Sequence, residues 1–522
     1  MPAAPELIRT AFTRELDDAA ILYEGMSRAD LAHVVMLAEA GIIPGEAGGE
    51  LIAALLEIHP RPPLDFSFDP ATGDLYANRE AYLKMLTPAA GWLSAGRARR
   101  EAATIGYRIA ARSRLLGLAS ALADCARAAL DLAETHRATI FPDYTYLQTA
   151  QPTTFGHYLL TFVYPVLRDL DRLRAAFART NVSPAGSGSV NGSRLPLNRE
   201  RLAELLGFDA LIPHTRDAMW QADGPIEIAA LTASTLITLD RLAEDLQIFA
   251  TNEFDLVELA DEHTRASVIM PQKKNPYALA YVRGVAGEMI GTLAAMAAVG
   301  KTPSGQLDNR IFAYGDAPRA LDAAAGVAGL MAGVLRGLTV NATRAAELAA
   351  GGFSGATDLA DALLLSAGLD YRTAHAVVGQ AVRDTMASGA TTLTAERLDT
   401  AAEKIIGRKT GLTPEAVAQT LDPAAIIATR TGPGGAAEPS GHAMIAQCRE
   451  TAADHERWRE AAEMRLSASD SFLMMSATAL KSRRPESELS EQPEPREPQS
   501  LEDLFRDLPQ PPNRRRWQLP RE

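Results

Sequence analysis

Cysteine is nearly absent from this chain: Cys125 and Cys448 are the only two in 522 residues. Thiols so far apart, with no CxxC or Cys/His spacing near them, exclude a disulfide framework and a structural zinc site. The nine histidines show no ligand spacing either, so no metal is expected. Positive charge is short. Lys and Arg number 52 against 65 Asp and Glu, a net charge of −13, which argues against a general nucleic-acid or membrane-surface binder while leaving room for a local basic pocket. No charge-free run of about 18 apolar residues occurs. The start, MPAAPELIRTAFTRELDD, is acidic and has no apolar h-region. A cytoplasmic protein without membrane contact is the expectation.

Strand-like alternation is also scarce, and helical periodicity fills the space. In residues 28–43, Leu31, Val34, Val35 and Ala38 share one face, and a Gly-Ile-Ile-Pro break follows. Residues 103–136 contain no proline and predict a helix of about 50 Å at 1.5 Å per residue. Further long helices are predicted over 158–180, 218–257, 276–298 and 318–338, lengths that suit an extended bundle. Shorter ones over 356–368 and 371–388 follow the Gly-rich link GGFSG. The fold class is all-α, and the length calls for more than one core.

From about residue 481 the composition turns rich in Pro and Glu without apolar periodicity, which predicts a disordered tail. Inside it, Leu501, Leu504, Phe505 and Leu508 fall at i, i+3, i+4 and i+7 behind Ser500 and Asp503, in the manner of a capping box. This motif, 500–508, suits a helix that docks in a protein partner's groove, or a tail that folds back on its own domain.

Chemistry concentrates in four polar segments, each at the end of a predicted helix, where free backbone donors favour anions. They are AGRARREAAT (95–104), DYTYLQTAQPTTFGHY (143–158), SPAGSGSVNGSRLP (183–196) and HTRASVIMPQKKNPYALAYVRG (263–284). GSGSVNG lacks the Gly-Lys-Ser/Thr ending of a nucleotide-binding P-loop. MPQKKNP differs from a general polar loop: two cations and an amide between two prolines make a rigid element able to stabilise a developing negative charge.

These segments, in this order and spacing, resemble the argininosuccinate lyase branch of the fumarase/aspartase superfamily over roughly residues 5 to 450. The resemblance implies a three-domain subunit: an N-terminal helical domain (1–103), a central long-helix bundle with the signature loop (104–350) and a small helical domain (351–480), followed by the tail (481–522). It implies a homotetramer whose active sites draw loops from three subunits. The reaction it implies is a β-elimination that releases fumarate from an N-substituted aspartate, with no metal or organic cofactor. The implied partner is a small anionic substrate of succinyl or dicarboxylate type.

The carry-over is uneven. The family signature reads Gly-Ser-Ser-x-Met-Pro-x-Lys-Lys-Asn-Pro and its second Ser is the base, but Val268 stands there and Ser267 matches the first Ser. The family's Thr-His-Leu-Gln reads Thr145-Tyr146-Leu147-Gln148, and an Asp-x-His motif reads Asp74-Leu75-Tyr76. Its Ser-Arg-Asn clamp reads Ala98-Arg99-Arg100. The resemblance therefore implies Ser267, Tyr146 and Lys274 as catalytic groups. It implies Asn78, Arg99, Arg100, Thr145, Gln148, Gln151 and Asn275 as substrate contacts. Asn309 and Arg310 match the region that holds the amino-acid end in argininosuccinate lyases, but the Tyr, Gln and Lys of that region have no match. That points away from argininosuccinate and toward another N-substituted aspartate. The alternative is a catalytically degenerate member that binds a dicarboxylate or serves as a structural or regulatory subunit.

Overall fold

The computed structural model describes residues 3–305 and 310–481. Its helices, with shorter elements named by range only, form three hydrophobic cores. The first gathers α1 (Ala19–Glu39), α2 (Gly45–Ile58) and α3 (Leu75–Leu86) around Leu31, Val35, Leu51 and Leu83. The second and largest lies among α4 (Arg99–Thr135), α5 (Phe155–Thr180), α6 (Asp223–Phe249), α7 (Tyr277–Gly300) and α8 (Arg310–Arg336). The third, small core is built by α9 (Ala356–Ala367), α10 (Tyr371–Ala387), α11 (Ala395–Ile406) and α12 (Pro414–Leu421). The last described helix, α13 (Glu438–Lys481), returns to the other two cores: Ile445 and Cys448 enter the second, Phe472, Leu473 and Leu480 the first. The stretch 351–480 thus contains two differently packed parts.

Cross-helix contacts fix the run of the bundle. Arg108 donates to the Thr180 carbonyl while Phe155 packs on His136, so α5 runs back along α4. Arg179 pairs with Glu227 and Tyr158 with Asp245, which turns α6 antiparallel to α5. Arg283 meets Glu244, and Gly300 lies beside Ile226, so α7 turns again. Thr104 bonds Tyr314, Arg114 bonds Asp322 and Arg336 pairs with Asp124, so α8 runs parallel to α4. With 37 residues, α4 spans about 55 Å at 1.5 Å per residue. The bundle therefore has two widely separated ends.

Side chains set the local starts. Asp74 caps α3 by accepting from the Ala77 amide at 3.0 Å, and Thr154 caps α5 through His157. Gly25 and Gly106 meet where α1 crosses α4. A Cβ on Gly25 would lie 2.7 Å from the Gly106 Cα, so this crossing requires glycine.

The largest element not foreseen is a hairpin. β1 (Ile140–Thr145) and β2 (Gln148–Thr154) form an antiparallel hairpin between α4 and α5. Its sequence carries Pro142 and Pro152 and little apolar alternation, so periodicity concealed it. What anchors it is aromatic packing: Phe141 contacts Phe155, Tyr158 and Phe249, and Tyr144 contacts Phe254. The two-residue turn places Tyr146 and Leu147 at φ 53° and 58°. Positive φ at both positions marks a type I′ turn, a conformation usually left to Asn and Gly.

Candidate active site

The sequence-predicted residues sit at both ends of the bundle. At the lower end, Arg99 and Arg100 open α4. The loop before them is held from beneath by a buried ion triad: Asp30 accepts from Arg79 at 2.9 Å and from Arg97 at 2.6 Å. Buried His33 meets the Ala95 carbonyl at 2.9 Å. Burial and the nearby Arg97 cation hold His33 well below the ordinary histidine range, so it stays neutral and structural. On that base Arg99 projects half-exposed, its Nε 3.3 Å from Asp74 Oδ2.

Beside the clamp lies a cavity of about 60 Å³ lined by Asp18, Asp74, Tyr76, Arg100, Thr104 and Tyr314. Burial raises the Asp18 carboxyl, opposed by its hydrogen bond from Arg319. Tyr76 is buried and shares a hydrogen bond with Ser94 at 3.1 Å. Small-molecule sites usually measure about 300–1,000 Å³.

Asn78 is placed differently from expectation. Its amide donates to the carbonyls of Asp69, Gly73 and Asp74 and accepts from the Asp69 amide. In this chain it shapes the loop that carries Asp74, and it presents no free donor to a ligand.

The glycine-rich segment also corrects a simple reading. Its backbone donors do bind an anion, but the anion is internal. Glu101, in the first turn of α4 and fully buried, accepts from Gly186 at 2.7 Å and from Gly188 at 2.6 Å. Gly186 and Gly188 both have positive φ, which lets their amides converge on one carboxylate. Burial pushes Glu101 up to about 7 against these amides and the Arg97 cation. The sequence placed Glu101 next to the clamp, yet nothing in one dimension linked it to residues 85 positions away.

The upper end carries the hairpin and the signature loop. Thr145, Gln148 and Gln151 are exposed, and Tyr146 at the turn is 99% exposed. In the loop, Arg265–Ala266 pairs antiparallel with Lys274–Asn275, and residues 267–273 form the tip. Ser267 Oγ accepts from the Met270 amide at 3.1 Å, while Val268 beside it is fully exposed. Asn275 donates to the Arg265 carbonyl at 2.8 Å. Lys274 Nζ lies 2.6 Å from Asp261 and 3.0 Å from Glu258, and these two hydrogen bonds hold its ammonium above the usual lysine range. Asp74 was read as part of the Asp-x-His match, but nothing in the sequence indicated that it pairs with Arg99, or that Glu258 and Asp261 pair with Lys274. Asn309 and the side chain of Arg310 lie outside the described residues.

So one chain brings Tyr146 and Gln148 onto one hairpin, and Ser267, Lys274 and Asn275 onto one loop, but it sets Arg99 and Arg100 a bundle's length away.

Comparison with known proteins identifies this arrangement. A family model described as lyase matches residues 9–291, and one for the argininosuccinate lyase C-terminal region matches 353–428. Argininosuccinate lyase from Methanoculleus marisnigri is 36% identical over 451 residues, covering 86% of this chain and 91% of its own. The chain belongs to the argininosuccinate lyase family. It is an all-α carbon–nitrogen lyase of the fumarase/aspartase superfamily. Argininosuccinate lyase from Chelativorans sp. (strain BNC1) is 36% identical over 386 residues, 73% of this chain and 81% of that one. Among solved structures, EDDS lyase in complex with formate superposes with a TM-score of 0.82 at 30% identity, over 92% of this chain and 96% of its own. An EDDS lyase variant with bound fumarate matches equally.

Proposed function

We propose that the protein eliminates fumarate from an N-substituted aspartate other than argininosuccinate, in a cytoplasmic homotetramer whose sites are each assembled from several subunits. The observation that carries this reading is the exposure of Arg99, Thr145, Gln148 and Lys274 at opposite ends of a bundle of about 55 Å. Groups so far apart meet at one substrate only when a second chain brings its lower end to this chain's upper end. The outward face of α7 supplies a surface for that assembly. Tyr277, Tyr281 and Ile290 are half-exposed, and Gly284, Gly287 and Gly291 have nothing within 4 Å of where a Cβ would sit. An exposed apolar, small-residue face on a long helix suits close helix packing between subunits. By length and composition alone α7 would also pass as a membrane span.

In the assembled site, Arg99 binds a carboxylate in its bidentate fork. Removal of the Cβ proton develops charge on the neighbouring carboxylate, and Lys274 and Asn275 stabilise that aci-carboxylate as it forms. Charge then returns through the carbon skeleton, the C–N bond breaks and the amine leaves with a proton. Tyr146, exposed at the hairpin tip, is suited to supply that proton. A valine cannot act as a base, so proton abstraction falls to Ser267, whose oxygen already accepts the Met270 amide, a donor that would stabilise an alkoxide. Arg100, in place of the family's Asn, favours a substrate with an additional anionic group.

The test is fumarate release, followed by ultraviolet absorbance, from a panel of N-substituted aspartates that includes argininosuccinate. The expected result is turnover of at least one member, lost in Arg99→Met and raised at least tenfold in Val268→Ser. No release from any member, with fumarate still bound in calorimetry, would replace this proposal by the degenerate dicarboxylate binder.

A further inference from the structure

The molecule has an apolar patch, apart from the site, beside the point where its tail begins. Met85 and Leu86, at the end of α3, are 74% and 38% exposed, and Trp92 on the following 3₁₀ turn (Pro88–Ser94) is 42% exposed. Single exposed apolar residues are ordinary, but three within eight positions are not. Thr87, in their midst, donates to Glu50 of α2 at 3.1 Å. Gly49, next to Glu50, lies against the backbone of Leu480, 3.8 Å from the Leu480 carbonyl to where a Gly49 Cβ would sit. Thus α13 delivers the chain to within one residue of the tail on the same helix, α2, that braces the patch. The patch and the origin of residues 482–522 are neighbours.

We propose that residues 500–508 dock on the Met85–Leu86–Trp92 surface of their own chain. In helical form Leu501, Leu504, Phe505 and Leu508 share one face, four apolar side chains for a patch of three. The intervening stretch, 482–499, reaches about 60 Å fully extended at about 3.3 Å per residue. That reach covers a surface that starts beside Leu480. Such a tether sets a local concentration in the millimolar range, so a contact too weak to hold a free peptide is populated when the peptide is attached. A partner in solution competes against that concentration. The tail then covers an apolar surface and releases it only to a ligand that binds either half more tightly.

Hydrogen exchange on the full chain, on a chain ending at Lys481 and on Leu504→Asp/Phe505→Asp tests this without reference to turnover. Amides in 84–94 should exchange at least threefold faster in the truncated chain and in the double variant than in the full chain. Equal exchange in all three overturns the proposal. A benzophenone side chain in place of Met85 distinguishes the occupants. Photolysis should join it to a peptide from 500–508 in a product of single-chain mass on a denaturing gel. A product of two-chain mass, or attachment only to another protein, also overturns the assignment.

Discussion

Glu101 provides the most direct test of how the lower end of the bundle is built. Its carboxyl is fully buried, faces the amides of Gly186 and Gly188, and lies near the Arg97 and Arg199 cations. Arg97 is itself bonded to Asp30, and Arg199 to Ser187 and the Ile212 carbonyl, so neither cation is devoted to Glu101. Burial dominates, and the folded protein holds the proton until about pH 7, against 4.5 for an ordinary glutamate. At about 1.4 kcal/mol per pH unit, that gap corresponds to about 3 kcal/mol. The sign follows from proton counts. The folded state binds this proton more tightly than the unfolded chain does. The associated stability is therefore fully present below pH 4.5 and is lost as pH rises to about 7. Glu101→Gln cannot ionise and lacks this dependence, although its amide sets one donor against a glycine N–H and lowers stability at every pH. Urea unfolding of both proteins at a series of pH values is the assay. The wild type should lose about 3 kcal/mol relative to Glu101→Gln between about pH 4 and about pH 8. Loop anchoring should run the opposite way, because only the ionised carboxylate accepts two amides without conflict. Exchange at Gly186 and Gly188, corrected for its intrinsic pH dependence, should slow above pH 7 in the wild type alone. Parallel stability curves for the two proteins would refute the account of Glu101 as a buried, weakly compensated acid.

Two further outcomes follow from the upper end. Lys274→Met should lower the rate of fumarate release at least 100-fold, the usual order for removing one preorganised charge-stabilising group. Its thermal midpoint should stay unchanged, because Lys274, Glu258 and Asp261 are exposed and surface ion pairs contribute little. Leu147→Gly should relieve left-handed strain at φ 58°, offset in part by glycine's greater freedom in the unfolded chain. The net gain should be about 1 kcal/mol, read as slower amide exchange in the hairpin 140–154.

Most of the long helices were legible because their signals are local, but the stretch expected as one helix over 218–257 is broken at Gln221 and Ala222, and its second part ends at Phe249. Residues 103–136 lack proline and keep apolar periodicity, and the helix there runs Arg99–Thr135. The hairpin was not, because its strands owe their place to Phe155, Tyr158 and Phe249, which come from two other helices. The return of α13 to the first two cores was hidden for the same reason: a helix carries its own period but not the address of the surface it covers. At the site, the motifs singled out candidate anion-handling residues, whereas the pairing of Arg99 with Asp74 and of Lys274 with Glu258 and Asp261 appeared only in three dimensions. Asn78 illustrates the limit of matching by motif. The residue type suits a ligand contact, but its amide donors are spent on the carbonyls of Asp69, Gly73 and Asp74, and its oxygen already accepts from the Asp69 amide.

The signature loop ties these points together. Its tip exposes Val268 fully, Ile269 at 83% and Met270 in part, an apolar run with water on nearly every side. Each such side chain would gain roughly 1.5–3 kcal/mol on full burial, so the open loop is poor in contacts that would hold it in place. The same holds for Tyr146 and Leu147, exposed on a strained turn that costs roughly 1–3 kcal/mol per residue. Exposed apolar side chains at both surfaces, together with the strain at the hairpin turn, are hard to account for within one chain. Under the proposed assembly, the lower end of another subunit would cover them, and burial would offset both costs. On this view Val268 replaces a proton-abstracting group with an apolar contact to the neighbouring subunit, and the chemistry shifts by one position along the loop to Ser267.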